Sequence, residues 1–152
     1  MVTLKPGDLA PDFELPADAG TPLRLSSLRG GPVVLYFYPK DETSGCTAEA
    51  CSLRDDYGAY KKAGVTILGV SPDPVASHVK FKENHQLPFP LLSDEDHRVL
   101  EAYGAWGKKG ERVGVLRTTF LIGRDGKIVR VFENVKPEGH STEILAALGI
   151  AP

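Results

Sequence analysis

The chain has 152 residues, with 18 lysines and arginines against 20 aspartates and glutamates and a formal net charge of −2. That length favours one domain, 1–152, whose core is large enough to fold without covalent staples. The near-balanced charge, with no basic run longer than Lys108-Lys109, leaves no nucleic-acid footprint. The opening "MVTLKPGDLAPDF" lacks the apolar core of a signal peptide, and no stretch approaches transmembrane length. The expectation is therefore a cytoplasmic protein without membrane contact, in a compartment that keeps thiols reduced.

In chain order, "DFEL" followed by Leu23 and Leu25 beyond Gly20 predicts a hairpin. The longest apolar run, "VVLYFY" at 33–38, does not alternate. It suits a strand covered on both faces, as in a parallel sheet, and Pro39 ends it. Cys46, Ala50, Leu53, Tyr57 and Tyr60 recur at three- and four-residue steps and predict one helix, with Gly64 as its C-cap. "VTILGV" at 65–70 is a second β-branched run, so the unit reads strand, helix, strand: a right-handed crossover with parallel pairing. Asp73 as N-cap and Pro74 as first helical residue open a helix to about Asn84. "LPFPLL" holds a short strand that Pro88 and Pro90 place near a sheet edge. Asp94 or Asp96 caps a short helix through Tyr103. "TTFLIG" and "KIVRVF" flank Arg124-Asp125-Gly126, and Asp-Gly is a strong hairpin signal. Ser141 begins a last helix to Leu148, followed by Gly149. The sum is an α/β sandwich: a mixed central sheet flanked by helices, with an N-terminal hairpin extension.

Both cysteines of the chain, Cys46 and Cys51, stand five positions apart in "PKDETSGCTAEAC". A structural zinc knuckle uses a gap of about two to four residues and a second ligand pair. Here His78, His85, His97 and His140 all lie far from Cys46 in sequence and are expected to be solvated or capping, so no metal is expected. On one regular helix, five residues give about 7.5 Å of rise and ~140° of rotation, putting the Cα atoms roughly 8.6 Å apart. A disulfide wants about 4.4–6.8 Å. Either the helix starts after Cys46, or it must unwind before the two thiols meet.

A reactive thiol is the remaining reading. With Thr43 or Ser44 near the N-cap, Cys46 falls in the first turn, where unpaired amides and the helix dipole favour a thiolate. Gly45 lets the backbone approach a ligand closely. Read alone, each residue keeps a plainer role. Cys46 is a small core residue, Cys51 an idle thiol, Thr43 a cap, Arg117 a surface strand residue and Glu49 a partner for the helix dipole. Asp41 and Glu42 read as solvated loop charges, and Tyr103 and Trp106 as core or loop packing.

The string "PKDETSGC" has the form Pro-x₃-Thr-x₂-Cys and resembles the active-site pattern of peroxiredoxins. The wider "FYPKDETSGCTAEACSLRD" resembles the bacterioferritin comigratory protein, or peroxiredoxin Q, subfamily. The resemblance continues through "GVSPD", "LPFPLLSD", "RTTFLIGRDGKI" and "VKPEGH", over nearly the whole chain. It implies a thioredoxin-like sandwich and a cofactor-free thiol peroxidase acting on hydrogen peroxide and organic hydroperoxides. It further implies Cys46 as the peroxidatic thiol, Thr43 as the hydroxyl touching thiolate and peroxide, Pro39 as a shield against water, and Arg117 as the arginine completing the site. Gly45 and Cys46 would offer backbone amides to the peroxide, and Glu49 is a candidate to orient Arg117. Cys51 matches the resolving cysteine, with thioredoxin or a similar dithiol closing the cycle. With both thiols in one chain a monomer is expected, and a reduced form should keep the helix through 46–51. Two rivals stay open: a disulfide oxidoreductase, which expects Cys-x-x-Cys, and a redox-responsive binding protein.

Overall fold

The computed structural model describes residues 3–150. Its centre is β3 (Val33–Phe37), paired in parallel with β4 (Thr66–Ser71) and antiparallel with β8 (Thr118–Ile122). With β5 (Leu91–Ser93) beside β4 and β9 (Ile128–Glu133) beside β8, the strand order is β5-β4-β3-β8-β9, a mixed sheet. The unbroken apolar run in β3 has a simple cause: both of its faces are buried. Val33, Leu35 and Phe37 point into one core with Leu68, Val70, Phe120 and Ile122. Val34 and Tyr36, followed by Tyr38, point into the other with Ile67 and Leu121. Side-chain alternation along the strand divides the residues between two layers.

Helices α1 (Ser44–Asp55), α2 (Tyr57–Lys62), α3 (Val75–His85) and α5 (His140–Leu148) supply buried side chains to the second layer. The N-terminal segment and α4 (Arg98–Ala102) close the first. The expected hairpin is present but minimal: β1 (Glu14–Leu15) pairs with β2 (Leu23–Arg24). It is stitched to the main sheet by an Ala17–Leu92 bridge and by Asp18 Oδ1, which accepts from Leu91 N at 2.9 Å.

Several assignments differ from the sequence expectation. The N-cap of α4 is His97, not Asp94 or Asp96, although their carboxylates accept from Leu100 N and Arg98 N in its first turn. α5 begins at His140, one residue before Ser141. The single helix predicted from Cys46 to Tyr60 is two helices that part at Asp56. Asp56 Oδ2 accepts from the Ser141 hydroxyl at 2.6 Å, a tertiary bond from α5 that draws this short polar residue out of the helical run. Asp73 does not cap α3; Pro74 holds that position. The Asp73 carboxylate accepts instead from Ser71 Oγ (2.6 Å) and Asp41 N (2.8 Å). A second hairpin, β6 (Trp106–Lys109) with β7 (Arg112–Val115), was not anticipated. Its strands pair only with each other and turn at Gly110, φ 68°. Trp106 stacks on His97 with ring centroids 3.7 Å apart, and Tyr103 is core, as expected of loop and core packing.

Candidate active site

The first turn of α1 and the β7–β8 junction meet around one sulfur. Thr43 is the N-cap of α1 in extended conformation, so Cys46 is the third helical residue. The amides of Ser44, Gly45 and Cys46 have no intrahelical acceptor; Thr47 N is the first to find one, Thr43 O at 2.9 Å. Cys46 is 1% exposed and packs in the helix-side core, yet its sulfur is not in a purely apolar setting. Arg117, 71 residues later in the chain, donates from Nη2 to Cys46 Sγ at 3.1 Å. The same guanidinium donates from Nη1 to Glu49 Oε1 at 3.0 Å. Main-chain bonds fix the arginine from both sides: Leu116 N donates to Ala105 O (2.7 Å), and Val135 N donates to Arg117 O (3.2 Å).

Glu49 lies one turn beyond Cys46 and is 1% exposed. Burial raises its carboxyl to about 7 although Arg117 pulls it down. Its second oxygen, Oε2, has no hydrogen-bond partner among the described residues. Thr43 directs its hydroxyl proton to Lys40 O at 2.9 Å, not to the sulfur. The oxygen lone pairs remain for an incoming O–H. Pro39 is half-buried between β3 and α1. Cys46 and Cys51 are both free thiols on an intact α1, Cys51 half-buried, as expected of a reduced form.

The loop ahead of Thr43 is not the solvated segment its charges suggested. Asp41 is 5% exposed. Its carboxylate accepts from Tyr38 Oη (2.6 Å) and Ser77 Oγ (2.8 Å) and meets His78 Nδ1 at 2.7 Å. His78 is fully buried, and its Nε2 donates to Leu92 O at 2.8 Å. Glu42, at φ 62°, is exposed but engages Asn84 Nδ2 and His85 Nε2 at the end of α3. His140 is also buried, with Nε2 2.8 Å from Thr119 Oγ1. Two of the four histidines are therefore core residues, not the solvated or capping groups anticipated. Asp41, Asp73 and His78 each offer a ligand-type atom within 4.8 Å of the others. Those atoms already serve the hydrogen bonds above, so the cluster works as a clamp on the 39–43 loop.

Two free cysteines share one helix, one of them under a guanidinium, and the AhpC/TSA family model matches residues 6–131. The chain belongs to the AhpC/TSA family. Peroxiredoxin Bcp of Escherichia coli (strain K12) is 46% identical over 149 residues, covering 95% of this chain and 96% of that protein. Peroxiredoxin Bcp of Bacillus subtilis (strain 168) is 44% identical, covering 97% and 96%. Among solved structures, the bacterioferritin comigratory protein of Xanthomonas campestris, studied for alkyl peroxide reduction, matches with a TM-score of 0.90 at 35% identity over 98% of each chain. The chain is thus a peroxiredoxin of the bacterioferritin comigratory protein group, with a thioredoxin-like fold and a thiol-dependent peroxidase activity.

Proposed function

We propose that Cys46 is the thiol that attacks the hydroperoxide and Cys51 the thiol that resolves the product. The observation that carries this assignment is the 3.1 Å bond from Arg117 Nη2 to Cys46 Sγ in the first turn of α1. A guanidinium is always charged and presents donors in a fixed fork, so it is placed to stabilise the charge growing on the leaving oxygen. The free first-turn amides add fixed dipoles.

In the first step the sulfur's electron pair forms an S–O bond while the O–O bond breaks. Cys46 becomes a sulfenic acid, and the leaving alkoxide or hydroxide takes a proton to become an alcohol or water. Thr43 receives the peroxide O–H on its free lone pairs, and half-buried Pro39 limits water beside the sulfur. Glu49 holds Arg117 in register through Nη1. In the second step α1 unwinds locally, the Cys51 sulfur attacks the sulfenic sulfur, the S–O bond breaks and water leaves. An external dithiol of the thioredoxin type then exchanges with the Cys46–Cys51 bond, becoming oxidised as both thiols return.

Substrates on this reading are hydrogen peroxide and organic hydroperoxides; the alkyl peroxide reduction studied in the Xanthomonas relative supports the second class. Residues 1–152 act as one catalytic domain. Because both thiols belong to one chain, the working unit is a monomer. It acts in the cytoplasm, where thioredoxin-type dithiols are reduced. No described helix is long and apolar enough to cross a membrane.

The test mixes reduced protein with stoichiometric hydrogen peroxide and follows thiol loss. Wild type should lose two thiols and recover them with a dithiol. Cys46→Ser should show no fast phase. A fast phase in Cys46→Ser would reverse the assignment.

A further inference from the structure

We propose that Gly45 is a positioning residue: its missing side chain forms, with Pro137, a slot that seats the Arg117 guanidinium on the Cys46 sulfur. This rests on the roles given above to Cys46 and Arg117. A methyl group built on Gly45 would lie 2.9 Å from Arg117 Nη2, 3.7 Å from Arg117 Cζ and 3.4 Å from Pro137 Cγ. Nη2 is the same nitrogen that donates to Cys46 Sγ at 3.1 Å. The guanidinium therefore lies across the space a side chain at position 45 would fill. The open face of this glycine serves the arginine.

Nothing else in the backbone asks for glycine there. Gly64, Gly110, Gly126, Gly139 and Gly149 all adopt positive φ, where other residues are strained. Gly45 does not; it is an ordinary residue in the first turn of α1. Glycine is a weak helix former, so its use at this position runs against local stability. The guanidinium cannot yield without disturbing the site, since Nη1 is held by Glu49 Oε1 at 3.0 Å. The opposite wall moves with the arginine, because the segment carrying Pro137 is bonded to it through Val135 N and Arg117 O at 3.2 Å. A group at position 45 must push Nη2 off the sulfur, break the Glu49 bond or displace Pro137.

The consequence separates folding from chemistry. The nearest atom to the built methyl is the tip of a long side chain, which can shift without unfolding the helix. Gly45→Ala should keep or raise the melting temperature while weakening the site. The experiment uses a Cys51→Ser background, in which Cys46 reacts once and its thiolate is read without a second thiol. Stopped-flow oxidation by hydrogen peroxide, thiolate absorbance at neutral pH and thermal melting are compared for the parent, Gly45→Ala, Arg117→Ala and the double variant.

Gly45→Ala should slow oxidation roughly ten-fold or more and lower the thiolate signal. Arg117→Ala should slow it further, and adding Gly45→Ala to Arg117→Ala should change nothing. Pro137→Ala should slow oxidation a few-fold, again only when Arg117 is present. Parental rate in Gly45→Ala, or an equal loss with and without Arg117, would overturn the slot. So would a lowered melting temperature or a failure to fold, because the arginine tip would then not be the group that gives way. A parental rate in Arg117→Ala would instead overturn the underlying assignment of the arginine, so the two failures are distinguishable.

Discussion

Arg117 and Glu49 meet at 3.0 Å in a setting where the carboxylate is almost fully buried and the arginine mostly so. The pair stands beside the Cys46 sulfur and occupies the guanidinium nitrogen that the sulfur does not use. One guanidinium thus forks between two acceptors, with one donor on the carboxylate and one on the sulfur, and on the proposed assignment the first orients what the second uses.

Arg117→Lys keeps the charge and loses the fork, since a lysine ammonium is a compact donor on a flexible stem. The rate constant for Cys46 oxidation should fall by about 10²–10³, the usual cost of removing one transition-state donor. Stopped-flow measurement with hydrogen peroxide checks this; a loss under about five-fold would mean that charge alone suffices.

Glu49 sets a pH dependence of stability. Its carboxyl titrates at about 7 in the folded chain, against an ordinary value of 4.5. Between those limits the folded state binds more protons than the unfolded one. The group's contribution is fully present below 4.5 and is lost as pH rises through about 7. The full loss is on the order of 3 kcal/mol. Denaturant titrations across that range should show wild type losing stability relative to Glu49→Gln as pH rises, with a flat difference beyond. A difference that is flat throughout would contradict it.

Oxidation must cost helix. Cys46 and Cys51 share an intact α1, whose geometry holds their Cα atoms about 2 Å beyond disulfide reach. Stoichiometric peroxide should lower far-ultraviolet helicity and speed amide exchange across 46–55, with recovery on reduction. In Cys51→Ser, Cys46 should still oxidise but the helix should stay protected and a sulfenic acid should accumulate.

Asp41 is a structural clamp. Asp41→Ala leaves Tyr38, Ser77 and His78 without their acceptor in a buried site, at a cost of about 3–5 kcal/mol. Leu53→Ala, at a fully buried position on α1, should cost about 2–5 kcal/mol through the cavity it opens. Denaturant melts measure both. Only Asp41→Ala should also slow peroxide reduction disproportionately, because the loop it anchors carries Pro39 and Thr43.

What the sequence disclosed and what it hid follow one physical line. Doubly buried strands announce themselves as continuous apolar runs, so β3 and β4 were legible. The β6–β7 hairpin was not: among its residues only Val115 is fully buried, and its pairing is internal. The parting of α1 from α2 depends on Ser141, 85 positions from Asp56, which no local pattern reports. Asp41 looked like a loop charge because its partners Ser77 and His78 arrive from α3. The candidate site was expected from the motif around Cys46, and Arg117 from its resemblance alone, and the fold brings the two side chains together. Gly45 was read as space for a ligand; the coordinates fill that space with the arginine.

The backbone around Arg117 is sewn between Ala105 and Val135, on the sheet side of the molecule. Glu49 sits on α1, between the two cysteines. On the proposed cycle the Cys46–Cys51 bond unwinds the stretch carrying Glu49, whereas both main-chain bonds that hold Arg117 lie outside α1. One partner of the Glu49–Arg117 pair then leaves and the other stays, because they are anchored in different parts of the fold. Rewinding on that cycle brings the sulfur back to a guanidinium whose main-chain anchors, Ala105 and Val135, lie outside the unwound stretch.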